Sequence, residues 1–431
     1  MKKTLVTRTR GDYTFNLLDL PESNFFKFEI INKYGSHIER AYNKKYNKNV
    51  YGISHFIEHL GFRAPKDYTT EELLSLVKTE GTYNASTDYD RINYWFQTSM
   101  ENMDLAIRLV SNYTLNTLEG ISEEEFLIER KVVHNEAKRY ADDDQTMFWF
   151  NVTGALSGYD EEDNVISTPD IIDTYTIEDC IAIKKTFINN GKNNYNVTYD
   201  STKISEKELI TKLVTELDRF IIDDEVCITD DEYLECITWP QNIEAELKNE
   251  SEQKITYINL DIIDSPSTAD AANAYLSMYA KDTSLNDLIR EKNGLTYGVH
   301  LGTTITAYNH YTYFGCDVSA GDEELLMKLF KESINLSVDG WNTEVYNKYM
   351  KTRRLKRDMA LLNLKVYDEW LQKKVWDIEN ISALEPILCK DLRRAYEVLD
   401  DTYITEELMK EYMVRFKDAV NAGDYGIVVN V

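Results

Sequence analysis

The chain has few residues that break or staple structure. Its 431 residues include 6 prolines, 17 glycines and 5 cysteines. That composition excludes a collagen-like or low-complexity chain. The cysteines (Cys180, Cys227, Cys236, Cys316 and Cys389) are odd in number and scattered, and no pair has metal-ligand spacing. They exclude a disulfide scaffold and read as reduced thiols in a reducing compartment. Basic residues are scarce beside acidic ones, 48 Lys and Arg against 75 Asp and Glu, for a net charge of −27. This balance excludes duplex nucleic acid as a partner. Acidity lining a cavity would favour basic peptide segments. No apolar run is long enough to span a bilayer, so no membrane partner is expected. The stretch Met1–Arg10 is charged but has no apolar h-region, so no secretory signal is read and a cytoplasmic location is expected.

What is present is globular: 43% of residues are hydrophobic and 12% aromatic. The length exceeds one ordinary core and suggests two to four domains. Strands are expected at 13–18 and 25–31, a polar loop over 32–49, and a helix from Val50 to Gly61. A second helix starts at Thr69 or Thr70, with Gly81 as its C′ residue. Strands follow at 82–87 and 91–97, then a helix over 101–118. Ser122 and Glu125 form a capping box for the next helix, which carries Glu129 and Glu136 on one face. Further on come a helix at 176–187, a strand at 194–199 and a helix at 205–219. Periodicity fails around 222–249, which reads as a linker. The pattern then restarts with a strand at 254–262, helices at 268–279 and 284–291, and strands at 295–306 and 311–319. Helices at 323–338, 343–377, 382–397 and 405–416 precede a last strand at 425–430. The recurring order implies an α+β fold built from two related domains, each a mostly antiparallel sheet packed with helices. Their expected limits are 1–225 and 251–431, joined by a linker at 226–250.

The chemistry concentrates in Gly52-Ile-Ser-His55-Phe-Ile-Glu58-His59-Leu-Gly-Phe62. On a helix, residues three and four apart share a face, so His55, Glu58 and His59 point the same way. Two neutral imidazoles four apart can bind one zinc ion. A carboxylate between them can take a proton from water on that metal. A catalytic zinc wants a third protein ligand, and four other histidines and many carboxylates could supply it.

The order His-x-x-Glu-His, then 76 intervening residues, then Glu136 with Glu129 seven before it, resembles the pitrilysin/insulinase family of inverted zinc peptidases, which includes the mitochondrial processing peptidases. Glu80-Gly-Thr-Tyr-Asn84-Ala85-Ser-Thr87 is similar to that family's Gly-x-x-Asn-Ala-x-Thr strand. Arg290 and Tyr297, seven apart, look like its Arg/Tyr substrate motif. The chain departs from the family at Gly61, at Arg63-Ala-Pro65, and after Glu136, where the common proline is missing. The resemblance implies a clamshell-type zinc metalloendopeptidase acting on short or unfolded peptides in an enclosed chamber. His55, His59 and Glu136 would hold one Zn2+, with Glu58 as general base on a zinc-bound water. Glu129 would orient a ligand histidine or the metal site. Asn84 and Ala85 would sit on an edge strand that receives the peptide, and Arg290 and Tyr297 would bind it. Both parts on one chain imply a homodimer in which the Arg/Tyr pair reaches the partner's zinc site. Relatives that split the parts between subunits leave a heterodimer open. A noncatalytic or partner-dependent subunit of a peptide-processing complex is the alternative, and a dedicated maturation protease is a third reading. His134 reads as a packed or exposed histidine and not a ligand, His300 as a core residue before a chamber-lining one, and the run Phe148-Trp149-Phe150 as core packing.

Overall fold

The computed structural model describes residues 4–63, 65–143, 146–148, 150, 163–189, 193–222, 226–236, 244–247, 254–259, 266–305, 310–319, 321–360 and 404–430. The chain divides into two compact units. One comprises Met1–Asp142 with Glu162–Ile237, the other Asp143–Glu161 with Thr238–Val431.

In the first unit, three strands lead off: β1 (Thr4–Arg10), β2 (Tyr13–Asp19) and β3 (Phe25–Lys33). Three helices follow, α1 (Ile38–Tyr46), α2 (Ile53–Leu60) and α3 (Thr70–Thr79). Then come β4 (Thr82–Thr87), β5 (Arg91–Ser99), α4 (Met103–Leu115) and α5 (Glu123–Ala141). The unit is completed by α6 (Pro169–Ile172), α7 (Ile177–Asn189), β6 (Asn194–Tyr199), α8 (Glu206–Leu217) and α9 (Asp230–Leu234). The strands form one sheet in the order β1-β2-β6-β3-β5-β4. Among the described strands of this sheet only β2 and β6 run parallel. Strand pleating sends alternate residues of β5 to opposite faces. Tyr94 meets the rings of Phe62 and Tyr113 on the helical face, so Asn93 and Trp95 belong to the other.

The second unit holds β7 (Glu244–Leu247), β8 (Lys254–Asn259) and α10 (Pro266–Ala274). These are followed by β9 (Val299–Ile305), β10 (His310–Asp317), α11 (Glu323–Asp339), α12 (Thr343–Ala360), α13 (Glu406–Ala422) and β11 (Gly426–Asn430). Its sheet order is β7-β11-β8-β10-β9, again with one parallel pair, β7 with β11, among the described strands. Set against the first sheet without β1, both sheets read first, fifth, second, fourth and third strand of their series, with the same directions. Leu276, Ile289, Phe314, Phe330, Met413 and Phe416 belong to the core of the second unit.

Several local expectations change. Residues 32–49 are not a loop: α1 occupies 38–46. Ile38, Ala41 and Tyr42 give it a buried stripe at helical spacing, Glu39 is buried with them, and Lys44 and Lys45 lie on the outer face. Asn47 ends it in the left-handed conformation, at φ 51. Gly81 keeps a normal φ, and its role is close approach: a Cβ there would stand 2.3 Å from the Gln97 carbonyl oxygen. Ser122 caps α5 by accepting the Glu125 N–H at 3.2 Å, but the Glu125 carboxylate accepts the Thr70 hydroxyl. Thr69 and Glu72 do form a complete capping box for α3. Tyr275–Tyr279 and Asn286–Lys292 are π-helical where ordinary helix was expected. One wide turn leaves apolar spacing almost unchanged, so periodicity does not reveal it. Within the expected linker lie α9, which packs on α1, and β7, which pairs with β11. The expected helix at 382–397 and the end of that at 343–377 lie outside the described residues, as do Cys389 and Trp149.

Candidate metal centre

The site is built on α2, and α2 is placed from both sides. Ile53, Phe56, Ile57 and Leu60 are fully buried, so one helix face is committed to the core. Phe56 meets Phe126 of α5 edge-on, with ring centroids 5.2 Å apart. The start of α2 has no side-chain cap of its own, and Gly52 precedes it at φ 79. The cap comes from α1: the buried Glu39 carboxylate accepts the Gly52 N–H at 2.6 Å and the Ser54 N–H at 2.7 Å. Burial pushes the Glu39 carboxyl up to about 8. A Cβ at Gly52 would fall 2.4 Å from the Ser167 side chain, so the residue is also a point of close approach.

With α2 fixed against α5, His55 and His59 face Glu129 and Glu136. Two residues seven apart on a helix stand about 10.5 Å apart along its axis. The His59 ring bridges that gap. Its Nδ1 lies 2.8 Å from Glu129 Oε1, and its Nε2 lies 3.5 Å from Glu136 Oε2. His55 Nε2 is 3.9 Å from the same Glu136 oxygen. One ligand atom from each of His55, His59 and Glu136 can be chosen so that all lie within 4.8 Å of one another, and no other such group of His, Cys, Asp or Glu occurs among the described residues. A tetrahedral zinc with bonds near 2.1 Å separates its ligand atoms by about 3.4 Å. The Nδ1–H of His59 donates to the Glu129 carboxylate, which in the neutral ring leaves Nε2 bare toward Glu136. Two imidazoles and one carboxylate, arranged this way, fit a catalytic zinc.

The charges are distributed unevenly. Burial, reinforced by the neighbouring His59, pushes His55 down to about 3, so it is neutral and ready to ligate. Burial opposes charge on His59 as well, but Glu129, Glu58 and Glu136 outweigh it and raise the pKa. Burial raises the Glu129 carboxyl, yet the His59 hydrogen bond and the Arg63 charge bring it below the ordinary value. Arg63 Nε donates to Glu129 Oε2 at 2.7 Å. Glu58 is buried, which raises its pKa, and its Oε2 accepts the Thr87 hydroxyl at 2.7 Å. Beneath the site lies Lys184 on α7, fully buried, with Nζ 5.1 Å from the Tyr94 ring centroid.

A cavity of about 490 Å³ opens over these groups. Asn84 and Ala85 line it, as do Phe62, Tyr83 and Tyr140. Residues 41–168 match the model of the insulinase family, peptidase family M16. Residues 41–168 thus carry an insulinase-family segment. Among its curated relatives, the zinc protease PqqE of Helicobacter pylori is 39% identical over 88 residues, 20% of this chain and 19% of that protein. The matched stretch is thus about a fifth of that relative's length. A solved H. pylori protease superimposes over 99% of both chains with a TM-score of 0.74 and 16% identity. An M16 inactive domain from Pseudomonas fluorescens superimposes with a TM-score of 0.73 and 13% identity, over 99% of this chain and 97% of that one. The periplasmic protease PqqL of Escherichia coli gives 0.72 at 13% identity, covering all of this chain and 48% of PqqL. These likenesses agree with the α+β architecture read from the sequence.

The structure therefore gathers His55, Glu58, His59, Glu129, Glu136, Asn84 and Ala85 around one cavity. Arg290 and Tyr297 belong to the second unit, where the guanidinium carbon lies 5.2 Å from the tyrosine ring centroid and the ring is 91% exposed. His134 faces Asp173, with Nδ1 3.2 Å from its carboxylate. His300 is exposed on β9, contrary to the expected core role, because its strand turns that residue to solvent. Sequence reasoning missed Glu39, Arg63, Thr87 and Lys184 as members of the site. Arg63 stands four residues after His59 and Thr87 two after Ala85, so helical and strand spacing could have pointed to both. Nothing local marks Glu39 or Lys184, whose roles come from packing between elements. No helix among the described residues is long and apolar enough to cross a membrane.

Proposed function

We propose that the protein is a zinc endopeptidase that hydrolyses short or unfolded peptides. The observation that carries this reading is the convergence of His55, His59 and Glu136 beside a buried Glu58 at one cavity wall. Zinc held by these three residues would polarise the scissile carbonyl and make the attacking water more acidic. Glu58 Oε1 and Oε2 are the proton store. Burial has moved this carboxyl up, which suits a group that takes a proton from water and then gives it to the leaving amine. The Thr87 hydroxyl holds Glu58 Oε2, and so fixes where that proton is carried. Glu129 keeps the His59 tautomer, while Arg63 holds Glu129 in place. Among the described strands, β4 ends the first sheet, so its outer edge can pair with an extended peptide at Asn84 and Ala85. Backbone pairing makes few sequence demands, and the net charge of −27 favours basic segments among the peptides accepted.

We place Arg290 and Tyr297 on the substrate in a homodimer, each pair serving the partner chain's cavity within a chamber closed by the two chains. Mixing a Glu58→Gln chain with an Arg290→Ala, Tyr297→Phe chain should restore cleavage, because one intact composite site remains. No recovery on mixing would refute the exchange. The four cysteines among the described residues are free thiols, which supports the cytoplasm, whereas PqqL is periplasmic; cell fractionation decides.

The inactive P. fluorescens domain favours a second reading, a noncatalytic subunit. The presence of every donor and of Glu58 argues against it. Cleavage of a mixed peptide library, read by mass spectrometry for wild type and Glu58→Gln, separates the two. Products from wild type alone, enriched in Lys and Arg near the cut, are the expected result. No products from either chain with zinc bound would establish the noncatalytic or partner-dependent reading.

A further inference from the structure

The sheet face turned away from the helices carries an unbroken chain of side-chain hydrogen bonds across all six strands of the first unit. Thr7 Oγ1 on β1 donates to Asn16 Oδ1 on β2 at 2.9 Å. Asn16 Nδ2 donates to Asn196 Oδ1 on β6, also at 2.9 Å. Asn196 Nδ2 donates to Glu29 Oε2 on β3 at 3.0 Å. Asn93 Nδ2 on β5 reaches the other oxygen, Glu29 Oε1, at 3.4 Å. Ser86 Oγ on β4 closes the chain on Asn93 Oδ1 at 2.5 Å. Four of the five links join directly opposed residues, and the link from Asn93 to Glu29 is diagonal.

The two ends, Thr7 and Ser86, are exposed. The four middle members are only 1–5% exposed. Burying three amides and a carboxylate is costly unless each is bonded. Apolar residues of similar size could hold these strands together as well. What a bonded polar ladder adds is register, because it closes in only one alignment. A one-residue slip exchanges the two faces of a strand. On β4 that slip would take Ser86 from Asn93 and, on the opposite face, Thr87 from Glu58. An edge strand has neighbours on one side only, so it is the strand that most needs such a lock.

We propose that the ladder is a positioning device for β4, with Glu29 as its hub. It fixes the register of the edge strand, so that its open edge and the Thr87 hydroxyl stay aligned with Glu58. The proposal rests on the reading of β4 as the strand that receives the peptide. Glu29 itself is a positioning residue, linked to β4 through Asn93 and Ser86.

The test uses the full zinc-loaded chain and two readouts. The first is amide hydrogen exchange, which needs no substrate. In Glu29→Gln, one of the two amide donors loses its acceptor, and exchange over residues 82–87 should quicken about tenfold while β3 and β6 keep their protection. The second is peptide cleavage, where KM should rise about fivefold and kcat should fall by a smaller factor, with zinc content unchanged. If Glu29→Gln does not fold, Ser86→Ala at the exposed end should give the same local change in smaller measure, and Ser86→Thr should reverse it. Unchanged exchange at β4 would overturn the proposal. So would faster exchange across the whole sheet with a lowered Tm, the mark of plain stability. If wild type cleaves nothing, the peptidase reading fails, and the exchange result still decides whether the ladder holds β4.

Discussion

With β1 set aside, the two units share one strand order and one set of strand directions, yet among the described residues only the first gathers metal donors. In each, the segment between the second and third strands of the common series is helical. In the first unit that segment holds α2, with His55, Glu58 and His59. In the second it holds α10, Pro-Ser-Thr-Ala-Asp-Ala-Ala-Asn-Ala, which has no histidine. The starts of the two helices differ in kind as well. The helix α10 begins on a proline, which has no N–H to satisfy. The helix α2 follows Gly52, and the N–H groups of Gly52 and Ser54 at its start are held by a buried carboxylate from another helix. The scaffold is the same in both, and the chemistry is a local addition with its own supports.

The sharpest way to break the comparison is to remove a donor from each unit. His59→Ala should abolish stoichiometric zinc binding and lower turnover by several orders of magnitude. His300→Ala, on an exposed strand position of the second unit, should leave zinc content and turnover unchanged. Metal analysis of the two purified variants checks both. Zinc lost from His300→Ala would mean that the second unit contributes a ligand after all.

Acidification sharpens the comparison within the site. His55 is held neutral by burial down to about 3, so protons do not compete for it in the working range. His59 is the opposite, its pKa raised by three carboxylates that outweigh its burial. Below that raised pKa, zinc must displace one proton, and affinity should fall about tenfold per pH unit. Above it, affinity should level off. Glu129→Gln removes the hydrogen-bonding anion on Nδ1, lowers the His59 pKa and moves the break to lower pH. A chelator competition series across pH reads the slope. A slope of two protons would show that His55 titrates as well.

Much of this arrangement was legible because it is local. The His-x-x-Glu-His face, and Glu129 and Glu136 two turns apart, follow from helical spacing, which the chain obeys. The strands 82–87 and 194–199 follow from composition and appear at those residues. The parts that could not be read depend on partners far away in sequence. Glu39 lies in a stretch whose charge reads as loop until Ile38, Ala41 and Tyr42 are seen to be buried. Its carboxylate matters only because α1 meets the start of α2. Ala in place of Glu39 should cost ~1–2 kcal/mol and weaken zinc binding, since two buried N–H groups lose their acceptor. Thermal unfolding and zinc titration of Glu39→Ala check this. An unchanged Tm would mean that water caps α2 equally well.

The smallest expected effect is also the one whose sign is least intuitive. Lys184 is fully buried, and its ammonium has no hydrogen-bond partner among the described residues. Burial pushes it from 10.5 down to about 7, although the Glu58 carboxylate pulls it up. A base whose pKa falls on folding costs stability wherever the unfolded chain is charged. Between about 7 and 10.5 the unfolded chain binds the proton and the folded one does not, so stability rises with pH across that window. Below about 7 the cost is complete and constant. Lys184→Met fills the same space without charge, so it should raise stability at neutral pH by ~1–2 kcal/mol and remove that slope. It should lower turnover at the same time, because Glu58 loses a charge that pulls its pKa down. Urea unfolding at several pH values, set beside kcat, tests the pair of effects. A less stable variant would show that Lys184 is held by its surroundings as a favourable charge, and that the floor of the site is built for stability as well as for Glu58.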